Sequence, residues 1–219
     1  MAKSKIIKEL ANNEISIDVA LSRVLIIASD IGNDKLAEWA EKELNGYRDD
    51  EDLPEYRIIK DTRFISSGIQ GNYKFTNVPI PLEQIVGYEL PVHIYDGVHT
   101  IVEIIESKRE GRYGRDLSLL ASKVYAKTGR KCYSIEQIVS ITSLNGIINA
   151  LKTTLLKILL ELDKLFGNLD GLDIDTSAKT QDEIQQINQN IINIIIDKHV
   201  EIGDKNKIEG SILGSENEQ

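Results

Sequence analysis

Apolar residues recur with helical spacing in the first part of the chain and predict a helical hairpin. In the first helix they occupy positions 21, 24, 25 and 28, and Ser16 precedes them where an N-cap is expected. Positions 36, 39, 40 and 44 share the apolar face of a second helix. Gly46 follows where a left-handed C-terminal cap is expected, because glycine adopts positive φ without a Cβ clash.

Between Tyr56 and Pro81 the composition changes to that of short β-strands. Strand-forming residues at positions 62, 64, 65, 73, 75 and 78 are separated by turn sequences at 66–68 and 71–72. We expect two to four antiparallel strands, the first of which begins at Tyr56. Pro79 and Pro81 end this region, and Pro81 is expected to open a one-turn helix.

Helical periodicity then returns in three places. Residues 98–107 and 117–125 each present one apolar face, and Gly129 ends the second of these helices. Ser134 and Gln137 match a capping box, so a long helix is predicted to begin there. Its apolar stripe, at positions 147, 151, 155, 158, 162 and 165, is expected to pack on the amino-terminal helices. Pairing with another subunit is the alternative.

The carboxyl-terminal part has a different character. Residues 168–180 are polar and contain glycine, which predicts a linker. Residues 181–219 are predicted to form a β-prone tail, in which isoleucines recur every six residues like the rung of a hexapeptide β-helix. The candidate assembly residues of this tail are Ile194, Ile196, Ile202 and Ile208. The tail is interpreted as an oligomerisation or docking segment, with a flexible tail as the alternative.

These elements predict an α+β fold. Residues 1–167 are expected to form a mainly α-helical domain with a small antiparallel β-sheet inserted after the amino-terminal hairpin. Linker 168–180 and tail 181–219 follow it.

The charge of the chain limits its expected partners. A formal net charge of −9, from 26 basic and 35 acidic residues, argues against a general polyanion binder, although a local basic patch stays possible. Nucleic acid is therefore not expected as a partner. The apolar stretch 144–166 is interrupted by charges and is not expected to cross a membrane. The single cysteine, Cys132, is consistent with the cytoplasm, and neither a metal nor a cofactor is expected.

One stretch resembles a known family. The sequence Leu36 to Arg57 is similar to the AbiTii domain of bacterial abortive-infection and antiphage loci, and the resemblance extends over most of 16–166. The motif residues are Trp39, Glu43, Asn45, Gly46, Tyr47, Pro54, Tyr56 and Arg57. The resemblance implies phage defence with growth arrest or death of the host. Three of these residues, Tyr47, Tyr56 and Arg57, are the candidate functional surface, unless they only lock the loop onto the hairpin.

Three functional hypotheses remain open. The first is a non-enzymatic defence component that acts by protein–protein interaction or by self-assembly, with a homo-oligomer or a second defence protein as its partner. A toxin enzyme acting on nucleic acid is the second, for which the candidate residues are His93, His99, Lys108 and Arg109. The third is an antitoxin-like regulator whose acidic surface neutralises a partner toxin.

Overall fold

The computed structural model describes residues 3–107, 113–171, 174, 176 and 179–196. Within these residues the chain forms eight α-helices and six β-strands, and the predicted α+β class is confirmed. The helices are α1 (Lys5–Ala11), α2 (Ile17–Asp30), α3 (Asp34–Asn45), α4 (Leu82–Val86), α5 (Val98–Glu106), α6 (Ala121–Thr128), α7 (Ile141–Phe166) and α8 (Gln181–Ile196). The strands are β1 (Ile58–Ile59), β2 (Arg63–Gln70), β3 (Tyr73–Pro79), β4 (Val92–His93), β5 (Tyr113–Asp116) and β6 (Lys131–Val139).

The amino-terminal hairpin is formed by α2 and α3, as predicted. The Ser16 side chain caps α2 by accepting a hydrogen bond from the N–H of Val19. The Asn33 side chain caps α3 by accepting from the N–H of Leu36 at 3.0 Å. Both caps satisfy donors that a helix leaves without an internal partner. The predicted hairpin therefore has a polar cap at the start of each helix.

Four strands form an antiparallel sheet in the order β3-β2-β6-β5. The central pairing aligns Ile65 of β2 with Glu136 of β6, and an irregularity follows Ser67. Strands β1 and β4 form a separate two-stranded sheet. The first strand starts at Ile58 rather than at Tyr56, because residues Glu55–Arg57 form a 3₁₀ turn.

The helices enclose the largest of three hydrophobic clusters. The buried stripe of α7, which includes Leu151, Leu155 and Ile158, packs with residues of α1, α2, α3 and α8. Intramolecular packing of this stripe is therefore confirmed. A second cluster joins β1 and β4 to α5 and the first turns of α7, and a third packs α4 and α6 against β2 and β6.

The beginning of the chain is fixed to the end of α7. The backbone N–H of Ser4 donates to the Asp163 carboxylate at 3.1 Å, and the Ser4 hydroxyl also bonds this carboxylate. The Ser4 hydroxyl oxygen accepts in turn from the N–H of Leu169 at 2.9 Å. These bonds hold α1 beside the last turns of α7.

The predicted start of the long helix is wrong. Ser134 and Gln137 belong to strand β6, and α7 begins only after Ser140, whose side chain accepts from the N–H of Ser143. Residues Ile135, Gln137 and Val139 are buried at alternate positions, which is the period of a strand. The spacing of a capping box is also present in this strand, so the sequence at 134–137 fits both a helix start and a strand. Burial against α6 favours the strand.

The segment between the two helices predicted at 98–107 and 117–125 contains a strand. Residues 113–116, which include Arg115, form strand β5 at one edge of the sheet. The two basic residues of the enzymatic hypothesis, Lys108 and Arg109, lie outside the described residues. Gly46 has the expected positive φ of 96°, but its ψ of 167° is extended, so the cap is not left-handed helical.

The β-prone interpretation of the tail is wrong for residues 181–196, which form helix α8. Ile187 and Ile191 occur one helical turn apart and are buried against α7 and α3. Ile194 is partly buried on the same helix, whereas Ile196 is exposed. Two further residues of the six-residue pattern, Ile202 and Ile208, lie outside the described residues. The domain division at residue 167 stays a prediction.

Candidate functional site

Two residues of the family motif form a fully buried ion pair. Glu43 lies in the last turns of α3, and Arg57 ends the 3₁₀ turn that follows the acidic loop. The Nη2 atom of Arg57 donates to Oε2 of Glu43 at 2.6 Å, and its Nε atom lies 3.2 Å from both carboxylate oxygens. Both side chains have 0% exposure. This geometry is the charge-assisted, forked pairing that arginine makes with carboxylates.

Two tyrosine hydroxyls complete the hydrogen bonding of Glu43. The hydroxyl groups of Tyr47 and Tyr56 donate to the same oxygen, Oε1, at 2.6 Å and 2.7 Å. The indole N–H of Trp39 in turn donates to the Tyr56 hydroxyl at 3.4 Å. We refer to Trp39, Glu43, Tyr47, Tyr56 and Arg57 as the buried polar cluster. It contains five of the eight motif residues.

Arg57 also binds a distant part of the backbone. Its Nη1 atom donates to the carbonyl oxygens of Ile94 at 3.0 Å and Asp96 at 2.7 Å. The guanidinium carbon lies 4.9 Å from the centre of the Tyr47 ring, which allows a cation–π contact. Arg57 thereby joins α3, the 3₁₀ turn and the segment before α5. Within the described residues, every buried side-chain nitrogen or oxygen has a hydrogen-bond partner.

Two glycines allow these segments to approach each other closely. A Cβ atom on Gly97 would lie 2.3 Å from the carbonyl oxygen of Leu44, and one on Gly46 would lie 2.7 Å from that of Tyr95. Gly46 and Asp96 form an isolated antiparallel bridge, and the N–H of Tyr47 donates to the Tyr95 carbonyl at 2.7 Å. Side chains at these two glycine positions would separate the end of α3 from the start of α5.

The electrostatics of the cluster favour neutral tyrosines and a charged arginine. Burial raises the pKa of the Tyr47 and Tyr56 hydroxyls, and the neighbouring Glu43 carboxylate raises it further. For Arg57, burial acts to lower the pKa, but the hydrogen bonds and charge of Glu43 outweigh it and raise the pKa. The tyrosines therefore stay protonated as donors at neutral pH.

A further tyrosine extends the cluster towards the four-stranded sheet. The hydroxyl of Tyr113 on β5 donates to Oδ2 of Asp96 at 2.5 Å. Burial and this carboxylate raise the pKa of Tyr113. Sequence reasoning missed the contributions of Ile94, Asp96, Gly97 and Tyr113. Two of these bind Arg57 through backbone carbonyls, which no side-chain pattern reveals.

The buried polar cluster joins the acidic loop after α3 to the hairpin of α2 and α3. This is the structural role that the alternative interpretation of the motif gave to these residues. All three donor nitrogens of Arg57 are directed at protein oxygens, so the geometry is that of a structural connection. The other motif residues lie at its borders: Asn45 is exposed at the end of α3, and Pro54 begins the 3₁₀ turn. An interaction surface over this region stays a prediction.

The histidines of the enzymatic hypothesis lie on separate elements. His93 is exposed on β4, where its ring stacks on that of Tyr95 with centroids 6.2 Å apart. His99 lies on α5 and contacts Asp18 at 3.6 Å and Glu103 at 3.3 Å. Among the described residues, no three histidine, cysteine, aspartate or glutamate side chains are placed to hold a metal ion. The same part of the chain contains no helix with the length and hydropathy needed to cross a membrane.

Comparison with known proteins gives one result. No curated protein and no solved structure is significantly similar to the chain. The AbiTii family matches residues 4–189, which include the whole buried polar cluster and the first half of α8. The match covers most of the sequence, so the chain belongs to the AbiTii family, and this membership indicates a role in abortive infection, a form of antiphage defence.

Proposed function

We propose that this protein acts in abortive infection by assembly, either with itself or with a second defence protein, through the end of α8 and the residues that follow it. The observation that carries the proposal is the exposure of Ile196, which is 59% exposed at the last position of α8. The sequence beyond it supplies Ile202 and Ile208. The exposed isoleucine at the end of α8 and the six-residue spacing of the isoleucines that follow it in the sequence support contact with another chain.

The remainder of α8 is anchored to the protein body. Ile187 and Ile191 are buried in the main cluster, and the Asn33 amide donates to Asn188 at 3.0 Å. A deletion that began at Gln181 would therefore expose the core, and its effect would be difficult to interpret. A chain that ends at Ile196 keeps these contacts and removes only residues 197–219.

Light scattering of the full chain and of residues 1–196, at matched concentrations, tests assembly. We expect a defined oligomer for the full chain and a smaller species for the shortened one. Ile196→Lys should also reduce the mass, because a charged side chain would be buried in the contact. Val19→Lys is the matched control, because Val19 is a similarly exposed apolar residue on α2.

The role in defence is tested in bacterial cells challenged with phages. We expect cells that carry the full chain to survive as a population, and cells that carry residues 1–196 to lose this protection. Affinity purification from infected cells distinguishes self-assembly from a second protein. Equal masses together with equal protection for both chains would overturn the proposed assembly.

A further inference from the structure

The two faces of the four-stranded sheet have different surroundings. Phe64 of β2 and Ile135 of β6 belong to the cluster that packs α4 and α6 against the sheet. Successive residues of a strand point to opposite faces, so Ile65 points away from these helices. We refer to the face that carries Ile65 as the open face.

The register of the strands places further residues on the open face. Ile65 is aligned with Glu136 of β6, and Arg63 is aligned with Ile138. Directly opposed residues of neighbouring strands point to the same face. Ile65 and Ile138 are therefore diagonal neighbours, close enough for their side chains to touch across the two strands. On its other side, Ile65 is aligned with Pro79 of β3.

The open face continues to the far end of β2. Positions 64, 66 and 68 of this strand are buried, so Ile69 shares the face of Ile65. Ile69 is aligned with Lys74 of β3 and with Lys131 of β6. Both lysines therefore belong to the open face and flank Ile69.

The isoleucines of the open face lie outside the hydrophobic core. Ile65 and Ile138 are partly exposed, Ile69 is 38% exposed, and none of the three contributes to the clusters of the described chain. A groove of about 1070 Å³ opens beside Ile65 and Ile138, and its lining also includes Arg63 and Ile141 from the first turn of α7. The solvated face of an antiparallel sheet is usually polar, so these isoleucines indicate a contact with another chain segment.

Positive charge accompanies these isoleucines. Arg63, Lys74 and Lys131 are exposed, and no ion pair among the described residues includes them. The carboxylates on the same face are those of Glu136 and Asp116, which are aligned with each other. The open face therefore combines an apolar surface with a small excess of positive charge.

The sequence after α8 complements this face. Val200, Ile202, Ile208 and Ile212 all occupy even positions, so they would share one side of an extended segment. Residues 197–219 contain six acidic and three basic residues. A segment of this length can span up to roughly 75 Å, whereas the eight residues of β2 span roughly 26 Å. The segment is therefore long enough to leave one molecule and cover the open face of another.

We propose that residues 197–219 of one copy bind the open face of a second copy. The isoleucines of the segment pack on Ile65, Ile69 and Ile138, and its carboxylates lie beside the cations of the face. This inference rests on the assembly proposed above and names the surface that receives the assembly segment.

Photocrosslinking of the full-length protein tests which surface the segment contacts. Benzoylphenylalanine replaces Ile208 in an unlabelled chain, which is mixed with an isotope-labelled chain of unchanged sequence. Mass spectrometry should find the crosslink on labelled peptides that contain residues 63–69 or 131–138. Benzoylphenylalanine in place of Val19, an exposed residue of α2, is the control and should not crosslink to these peptides.

Variants of the open face test its contribution to assembly. The first is Ile65→Thr/Ile138→Thr, which keeps β-branched residues in the strands and removes apolar surface. Its matched control is Val19→Thr/Ile26→Thr, because both of these residues are exposed on α2. Light scattering of the full chain should show that the test variant needs about tenfold or more higher concentration to reach the same mass. The control should change this concentration less than about twofold.

A second variant tests the charges on residues that are fully accessible. Lys74→Glu/Lys131→Glu should weaken assembly at low salt, because it places carboxylates opposite an acidic segment. Lys35→Glu/Lys157→Glu is the control, since it reverses two exposed lysines on α3 and α7 and changes the net charge equally. Circular dichroism confirms that each variant remains folded.

The results separate this inference from the assembly on which it rests. Assembly that needs residues 197–219 but is equal in the open-face variants and their controls would overturn only the inference. Crosslinks confined to unlabelled sheet peptides would also overturn it, because the segment would then bind its own chain. A full chain with the same mass as residues 1–196 would overturn self-assembly and this contact together.

Discussion

Arg57 and Glu43 form their shortest contact, 2.6 Å, at a place where neither side chain reaches solvent. Each charge would be costly to bury alone, so the two residues depend on each other. The pair connects the last turns of α3 with the 3₁₀ turn, and the bonds from Arg57 to Ile94 and Asp96 extend the connection. The family motif therefore specifies how three segments meet.

Removing the negative charge should destabilise the protein strongly. Glu43→Gln leaves the Arg57 charge buried without its partner, and we expect the free energy of unfolding to fall by about 3–5 kcal/mol. Urea denaturation measures this change. The control is Glu38→Gln, which removes an exposed partner of Lys42 and should cost less than about 1 kcal/mol. Similar losses in the two variants would contradict the role of burial.

The hydroxyl groups of Tyr47 and Tyr56 should stabilise the protein in addition to the packing of their rings. Tyr47→Phe and Tyr56→Phe each remove one hydrogen bond to the Glu43 carboxylate, and each should lower the free energy of unfolding by about 1.5–3 kcal/mol. Both hydroxyls bond the same oxygen, so the effects in the double variant should not be additive. The control is Tyr73→Phe, because Tyr73 is exposed at the start of β3, and this change should leave thermal stability unchanged. A loss in that control equal to the other two would refute the assignment.

Stability should fall at high pH because of the same cluster. In the folded protein the pKa values of Tyr47, Tyr56 and Tyr113 are raised above the ordinary tyrosine value of about 10, first by burial and then by nearby carboxylates. Above about pH 10 the unfolded chain releases these protons while the folded protein retains them, so the free energy of unfolding decreases as pH rises. Ultraviolet titration should show tyrosines that ionise only on unfolding. Their number should decrease in Tyr47→Phe.

Replacement of Gly97 and of Gly146 by alanine should change the stability of the protein in opposite directions. Gly97→Ala places a Cβ atom against the Leu44 carbonyl and should destabilise the protein by more than about 2 kcal/mol. Gly146 lies within α7 with open space around its Cβ position, so Gly146→Ala should stabilise the protein by up to about 1 kcal/mol. Thermal unfolding measures both changes, and a stabilising Gly97→Ala would show that α3 and α5 do not meet closely.

The packing of α8 can be tested with two isoleucines of one helix. Ile187→Ala removes a buried side chain and should lower the free energy of unfolding by about 2–5 kcal/mol. Ile196→Ala removes an exposed one and should change it by less than about 0.5 kcal/mol in the unassembled protein. Chemical denaturation measures both. Equal, small effects would mean that α8 does not belong to the core.

Helices with regular apolar spacing could be predicted from the sequence. The hairpin of α2 and α3 and the stripe of α7 follow from such spacing, and Ser16 caps α2 where expected. Strand β6 could not be separated from a helix start, because Ser134 and Gln137 fit a capping box while positions 135, 137 and 139 alternate. The isoleucine-rich segment 191–196 has strand-forming residues, but burial of Ile187 and Ile191 on one helical face decided its structure.

The motif residues of the candidate site were identified in advance, but their bonding was not. A resemblance names Glu43 and Arg57 without showing that they pair across the acidic loop. The other hydrogen-bond partners of Arg57 are backbone carbonyls, whose positions depend on how α5 packs against α3. Tertiary packing therefore supplied the geometry that the local pattern lacked.

The bonds between Ser4 and the end of α7 have a consequence for synthesis on the ribosome. Ser4 contacts Asp163 and Leu169, so it obtains these partners only after 159 and 165 further residues have been translated. Helix α1 can contact α2 early, through the ion pair of Glu9 with Arg23, but its binding site on α7 is translated much later. A product that ended before Asp163 would lack this closure and could not fix Ser4 beside the end of α7.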